Sequence, residues 1–320
     1  MGHEVNETEK NLPDGLPLRA GLPLRGGLGI YKPRGMSSFD VIRKLRTILP
    51  AKTRMGHAGT LDPAAQGLLL VLINEATKVQ HLLKELGKEY IAEVRLGVGT
   101  DTDDMEGEIT QQVEVPEITT EQIKTALSSL KGTRMQRPPR YSAIKISGQR
   151  AYKKARAGQS FELPERKVTV HNLELIAWEP PVIKIKTGVS SGTYIRSLAR
   201  EIGQILDLPA SLSSLVRTRI GRFSAENALE LDKVTLESIN NSMIAVLELV
   251  THLPGAEVSD TEVILLIQGK PLDEGVYPEL ISQPVSVLYS ANRSRAFLCE
   301  PRDGRLCSRR MLYSDGGEDA

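Results

Sequence analysis

Residues Leu68–Leu86, "LLLVLINEATKVQHLLKEL", followed after one glycine by Lys88–Val98, "KEYIAEVRLGV", decide the fold class. The opening apolar run is far too short to cross a bilayer and reads as a buried strand or the start of a helix. Its continuation has helical spacing, and the second segment alternates apolar and polar residues like a strand with one buried face. Upstream, "SSFDVIRKLRTIL" starts with Ser37 or Ser38 as N-cap and places Phe39, Val41, Ile42 and Leu45 at helical spacing, leaving a basic outer face. Downstream, "TEQIKTALSSL" is a helix capped by Thr119 or Thr120, "KVTVHNLELIAWE" and "VIKIKTGVS" are strands, and "TYIRSLAREIGQIL" is helical. Strands and helices mix without regular βαβ alternation. The expected class is therefore α+β, a sheet with helices packed on it, and not a doubly wound nucleotide fold.

The flanks differ from this middle. Residues 1–28 carry Glu4, Glu7, Glu9 and Asp14 and repeat a hexapeptide, "GLPLRA" then "GLPLRG", which reads as a flexible tail and not as a signal peptide. Residues 29–247 are expected to form the main domain. Beyond Leu247, "HLPGAEVSDTEVILLIQGKPL" and "VSVLYSANRSRAFLCEPRDGRLCSRRMLY" suggest short strands and tight turns, a small β-rich module over 248–320 joined through "THLPG". Its two cysteines, Cys299 and Cys307, flank a turn and could face each other. With no cysteine framework they read as reduced thiols of a cytoplasmic protein.

Charge divides along the same line. The chain's net charge is +1, but residues 1–230 hold 33 Lys/Arg against 26 Asp/Glu, and residues 231–320 hold 8 against 14. Between Lys131 and Arg156 there are nine cations and no acidic residue, with Tyr141 and Tyr152 interleaved. Such a stretch suits a polyanion that also offers bases to stack on.

One loop, "KTRMGHAGTLDP" (Lys52–Pro63), carries a candidate catalyst. Pro63 keeps Asp62 extended, and Gly56 and Gly59 let the backbone bend toward a ligand. Taken alone, an Asp before Pro reads more readily as a turn cap. No HExxH, Cys/His cluster, P-loop or complete dinucleotide fingerprint is present, so neither a metal nor a cofactor is expected. No second acidic residue stands out near the loop, which argues against a glycosidase pair. "GTDTDDMEGEIT" (Gly99–Thr110) reads as a hairpin tip, because calcium-loop spacing would need an oxygen ligand at Met105 and glycine at Glu106.

With "GHAGTLDP" in place, "YKPRGMSSFDV" before it and "NEATK", "KEYIAEVRLGVGTDTDD", "PPRYSAIKISGQRAYKKARAG", "SSGTYIRSLAREIG" and "LVRTRIGRF" after it, the chain resembles the TruB-type tRNA pseudouridine-55 synthases. The resemblance covers roughly Gly29 to Leu247. It implies the pseudouridine synthase fold, a mixed, mostly antiparallel sheet flanked by helices, with a PUA-like C-terminal domain. It implies isomerisation of uridine-55 in the tRNA T-arm, without a cofactor and without an obligate protein partner. By resemblance Asp62 is the catalytic carboxylate and Arg196 its partner. Tyr90 stacks on the target uracil, Leu215 lines the pocket, Tyr194 contacts substrate and His57 fills the gap left by the flipped base. Lys32 and Lys78 match family lysines. Arg150, Lys153 and Lys154 are expected on RNA phosphates. The chain departs from the family pattern at Tyr31, Ala64, Gln66 and Val216, where local RNA contacts are expected to differ. Two alternatives remain open on sequence: a guide-RNA-dependent synthase of the dyskerin type, and an RNA-binding folding factor whose catalysis is dispensable.

Overall fold

The computed structural model describes residues 24–141, 161, 163–273 and 275–314, with only the backbone at 145–146 and 149–150. Its main strands are β1 (Gly26–Lys32), β2 (Met55–His57), β3 (Gln66–Ile73), β4 (Lys88–Leu96), β5 (Val98–Thr100), β6 (Ile109–Gln112), β7 (Gly132–Gln136), β8 (Lys145–Ile146), β9 (Gln149–Arg150), β10 (Arg166–Glu179), β11 (Val182–Val189), β12 (Ala210–Ile220), β13 (Phe223–Ser224) and β14 (Leu229–Glu230). Ten of them form one sheet in the order β14-β1-β3-β12-β4-β11-β10-β7, with β13 beside β12 and β2 beside β3. Only β1–β14 and β3–β12 pair in parallel, so the sheet is mixed and mostly antiparallel as expected.

The apolar run resolves as a strand. Both faces of β3 are covered: Leu68, Leu70 and Leu72 pack with Leu83, Val246 and Leu298, whereas Leu69, Val71 and Ile73 pack with Val41 and Leu45. A strand buried on both sides has no polar face to show, which explains the unbroken apolar sequence. By contrast β4 alternates, burying Lys88, Tyr90, Ala92, Val94 and Leu96 toward one face.

Helices cover the sheet where the spacing put them. In chain order they are α1 (Ser38–Leu45), α2 (Gln80–Glu85), α3 (Thr120–Ser129) and α4 (Ile195–Ile205). Ser37 caps α1 and Thr119 caps α3, each in a reciprocal capping box, with Asp40 and Gln122 respectively. Leu198 and Ile202 of α4 pack with Ile123 and Leu127 of α3 over Val94 and Ile185.

Three sequence expectations are corrected. Strand β1 begins at Gly26, inside the segment read as tail, and buries Leu28 completely against its partner β3. In the C-terminal module, β15 (Gly255–Val258), β16 (Ser286–Ser290), β17 (Arg295–Arg302) and β18 (Arg305–Ser314) form the expected small sheet, but Asp260–Ile267 is a helix, α5. Ser259 and Glu262 box its start, and its aliphatic run, with Ile264 and Ile267 exposed, hides helical periodicity. The cysteines are not opposite: Cys299 pairs with Ser308 and Cys307 with Glu300, and both are free thiols. Burial pushes the Cys299 thiol up to about 12, leaving it protonated.

The small sheet and the large one share a core. Val287, Leu298 and Leu312 pack with Leu249 and Val250 and with Leu70 of β3. Among the described residues no helix is long and apolar enough to cross a membrane.

Candidate active site

The loop from Gly59 to Ala65 lies over the junction of β3, β12 and β4. Register sets Arg217 of β12 opposite Gly67 of β3 and Tyr90 of β4, so Arg217, Leu215 and Tyr90 share one face of the sheet. Gly67 is required there: its φ is +105°, and an added Cβ would lie 2.3 Å from the Arg217 carbonyl oxygen.

Two buried cations hold the loop by its carbonyls. Arg217, 1% exposed, donates from Nε to Leu68 O (2.8 Å), from Nη1 to Thr60 O (3.2 Å) and from Nη2 to Gly59 O (3.2 Å). Lys32, fully buried, donates from Nζ to Met36 O (2.7 Å), Pro33 O (2.9 Å) and Pro63 O (3.4 Å). Burial lowers the Lys32 pKa to about 8, and the nearby Asp62 carboxylate opposes the shift. Ser38 of α1 adds a third tie, its Oγ accepting from Leu61 N (2.9 Å) and donating to Leu61 O (3.1 Å). The backbone on both sides of Asp62 is thus fixed while its side chain stays 47% exposed.

Arg196, near the start of α4, meets that carboxylate. Its Nε lies 3.2 Å from Asp62 Oδ2, and its Nη1 lies 3.3 Å from Asp104 Oδ2. Nη1 also donates to Thr102 O (3.2 Å) and Nη2 to Tyr141 O (3.0 Å). A guanidinium gripped at this many points has one orientation, which in turn orients Asp62. Asp62, Arg196, Tyr90, Tyr194 and Leu215 line a single cleft of about 430 Å³, a volume suited to one nucleoside. A half-open carboxylate beside an aromatic wall can reach the sugar or the base of a nucleotide lodged there.

The other expected residues lie elsewhere. His57 ends β2 outside the cleft lining, half-buried, with Nδ1 enclosed and unpartnered. Burial holds its pKa below the ordinary histidine value, so the ring is neutral at pH 7. Lys78 donates to Met311 O and Leu312 O, each at 3.0 Å, and so ties the main domain to β18. The side chains of Arg150, Lys153 and Lys154 fall outside the described residues.

Three residues escaped the sequence reading. Asp104, from the acidic hairpin β5–β6, is the second carboxylate on Arg196, and its neighbour Asp103 pairs with Arg200. Gln136, fully buried, accepts from Tyr194 N (2.9 Å) and donates to Tyr194 O (3.2 Å), fixing the backbone where α4 begins. Arg217 stands two residues after Leu215, and strand period alone would have put both on one face. Asp104 and Gln136 have no local signal.

Residues 46–195 match the model of the TruB family pseudouridylate synthase N-terminal domain. The tRNA pseudouridine synthase B of Clostridium tetani is 34% identical over 267 residues, covering 83% of this chain and 92% of that protein. The protein of the same name from Deinococcus radiodurans is 41% identical over 236 residues, covering 64% and 76%. The chain belongs to the TruB family. Among solved structures it is similar to a chain of a Cbf5-Nop10-Gar1 complex, with a TM-score of 0.70 at 23% identity over 97% of this chain and 93% of that one. It is also similar to a chain of an H/ACA RNP bound to a substrate RNA containing 2′-deoxyuridine, with a TM-score of 0.66 at 22% identity over 90% and 84%. At these identities the likeness is one of fold.

In this TruB-family cleft Tyr90 is 8% exposed and lines the wall together with Asp62 and Leu215. Tyr90→Phe keeps the ring face and Tyr90→Ala removes it. Base stacking on an aromatic is worth about 1–3 kcal/mol. Single-turnover rates should therefore fall by about 5- to 150-fold in the Ala variant and far less in the Phe variant. Equal rates for Ala and wild type would remove Tyr90 from the site.

Proposed function

We propose that the chain is a tRNA pseudouridine synthase that isomerises uridine-55 of the T-arm. The observation that carries the reading is the Asp62–Arg196 pair set in a nucleoside-sized cleft walled by Tyr90 and Leu215. The name carried by its relatives supplies the substrate class. In the reaction the N1–C1′ bond of the target uridine breaks, the uracil turns, and a C5–C1′ bond forms as C5 loses its proton and N1 gains one. The base must leave its stack to reach the cleft, at a cost of a few kcal/mol. Arg196 fixes the ionised Asp62 against the flipped nucleotide, and Tyr90 holds the base during its turn. The half-buried, neutral His57 is suited to fill the space left in the RNA, since an uncharged ring stacks among bases without a counter-ion. We place the activity in the cytoplasm, with the tRNA T-arm as the partner and no obligate protein partner.

The test uses tRNA labelled with tritium at C5 of uridine. The purified chain, with no added protein, guide RNA, cofactor or metal, should release about one tritium per tRNA. Release that appears only after other components are added would favour the guide-dependent alternative, and none on several tRNAs would favour the folding factor. A second prediction concerns binding. Replacing Arg150, Lys153 and Lys154 together with Ala should weaken tRNA binding and flatten the plot of log affinity against log salt, by about 0.7–0.9 for each phosphate no longer neutralised. An unchanged slope would move the RNA path away from this segment.

A further inference from the structure

The cations of the cleft are not equivalent. Arg196 is occupied by two carboxylates, and Arg217 and Lys88 donate to carbonyls of the protein itself. Lys84 is exposed on a flexible stem. Arg166 begins β10, lines the cleft and, unlike Arg196, has no carboxylate within ion-pair distance among the described residues.

Arg166 is also held in place. Its Nη1 donates to Gly192 O (3.1 Å), and its guanidinium lies 5.8 Å from the centre of the Tyr194 ring. The loop carrying Gly192 is pinned to the same strand, because Ser190 Oγ accepts from Thr169 N (2.8 Å) and Ser190 N donates to Thr169 O (2.8 Å). Gly192 has φ +80°, and an added Cβ would come within 3.2 Å of Arg166 Nη1. The seat is thus built for a glycine below and an arginine above, and among the described residues no hydrogen bond occupies the Nε and Nη2 donors, which are left for a ligand. A planar fork with two free donors matches the geometry of a phosphodiester.

A nucleotide whose base and ribose occupy the cleft beside Asp62 leaves its two phosphodiesters outside it, next to the solvent-facing cations. We propose that Arg166, seated on Gly192, binds one phosphodiester adjoining the target nucleotide and so fixes how deeply the nucleotide enters. The proposal rests on the reading of the cleft as a uridine-isomerising site. The contact is to backbone and carries no sequence information.

The test is a double-mutant cycle between protein and RNA. T-arm stem-loops are made with either phosphodiester flanking the target uridine replaced by an uncharged methylphosphonate, and kcat/KM is measured for wild type, Arg166→Ala and Gly192→Ala. Wild type should lose about tenfold or more on one of the two modified RNAs, and Arg166→Ala should lose a similar factor on unmodified RNA. Combined, the two changes should cost no more than either alone. Gly192→Ala, which crowds the guanidinium, should be insensitive to the same phosphate. Losses that multiply at both phosphates would overturn the proposal while leaving the cleft's activity intact. No turnover of unmodified RNA by wild type would instead overturn the functional reading, and the same cycle measured on binding affinity would still decide the phosphate contact.

Discussion

Asp62→Asn is expected to stop tritium release from C5-labelled tRNA, lowering turnover by at least about 10³-fold, while tRNA binding survives. The substitution keeps the size of the side chain and removes its charge. It leaves the loop in place, because the ties from Lys32, Arg217 and Ser38 reach backbone or neighbouring residues and not the Asp62 carboxylate. One anion fewer in a cleft lined by several cations does not weaken the hold on phosphate. Retained binding with lost release would assign the chemistry to the carboxylate. Continued release would refute its catalytic role, and joint loss of binding and release would point to a misfolded loop.

Arg196→Met should have the second largest effect, and it should show in both stability and rate. Arg196 is 8% exposed and serves two carboxylates and two carbonyls, so its removal leaves Asp104, only 13% exposed, without its cation. Breaking a buried pair costs roughly 3–5 kcal/mol, and the half-open Asp62 puts the expected loss near the lower end, about 3 kcal/mol. Chemical denaturation would read that loss. Single-turnover rate should fall by about 10²-fold or more, because an unheld Asp62 side chain samples several rotamers. Asp104→Asn separates the two effects: it keeps the guanidinium and removes one of the groups that aims it. Its rate should fall with tRNA affinity unchanged, and an unchanged rate would make the hairpin a purely structural brace.

Much of this is legible in the chain. The apolar run of β3 and the alternation of β4 specify central strands, since local period and burial are written together. The caps at Ser37 and Thr119 are each narrowed to two neighbouring residues, because capping needs only a side-chain oxygen and the next three amides. Asp62 stands out through its motif, and Arg196, 134 residues later, only through resemblance. No local property of "TYIR" says which carboxylate its arginine meets.

The misses have physical causes as well. Helix α5 is hidden because an aliphatic run supports strand and helix alike until a capping box and a sheet to lie on decide between them. At Lys78 the sequence leaves a structural role and RNA contact equally open, and only the fold brings its ammonium to two carbonyls of β18, more than two hundred residues away. The acidic segment reads as a hairpin tip, and nothing local tells that Asp103 and Asp104 pair with Arg200 and Arg196 of α4.

The sequence by itself therefore determined most elements of the main domain, the buried faces of β4 and α1, and the loop that carries Asp62, because those depend on neighbours a few residues apart. Only the tertiary structure decided which charges meet. Arg217 and Lys32 grip the loop, Asp104 shares Arg196, and Gln136 fixes Tyr194, because β-strand pairing and helix packing bring together groups separated by tens to hundreds of residues. Buried polar groups must find partners wherever the fold supplies them, and sequence distance carries no record of that choice.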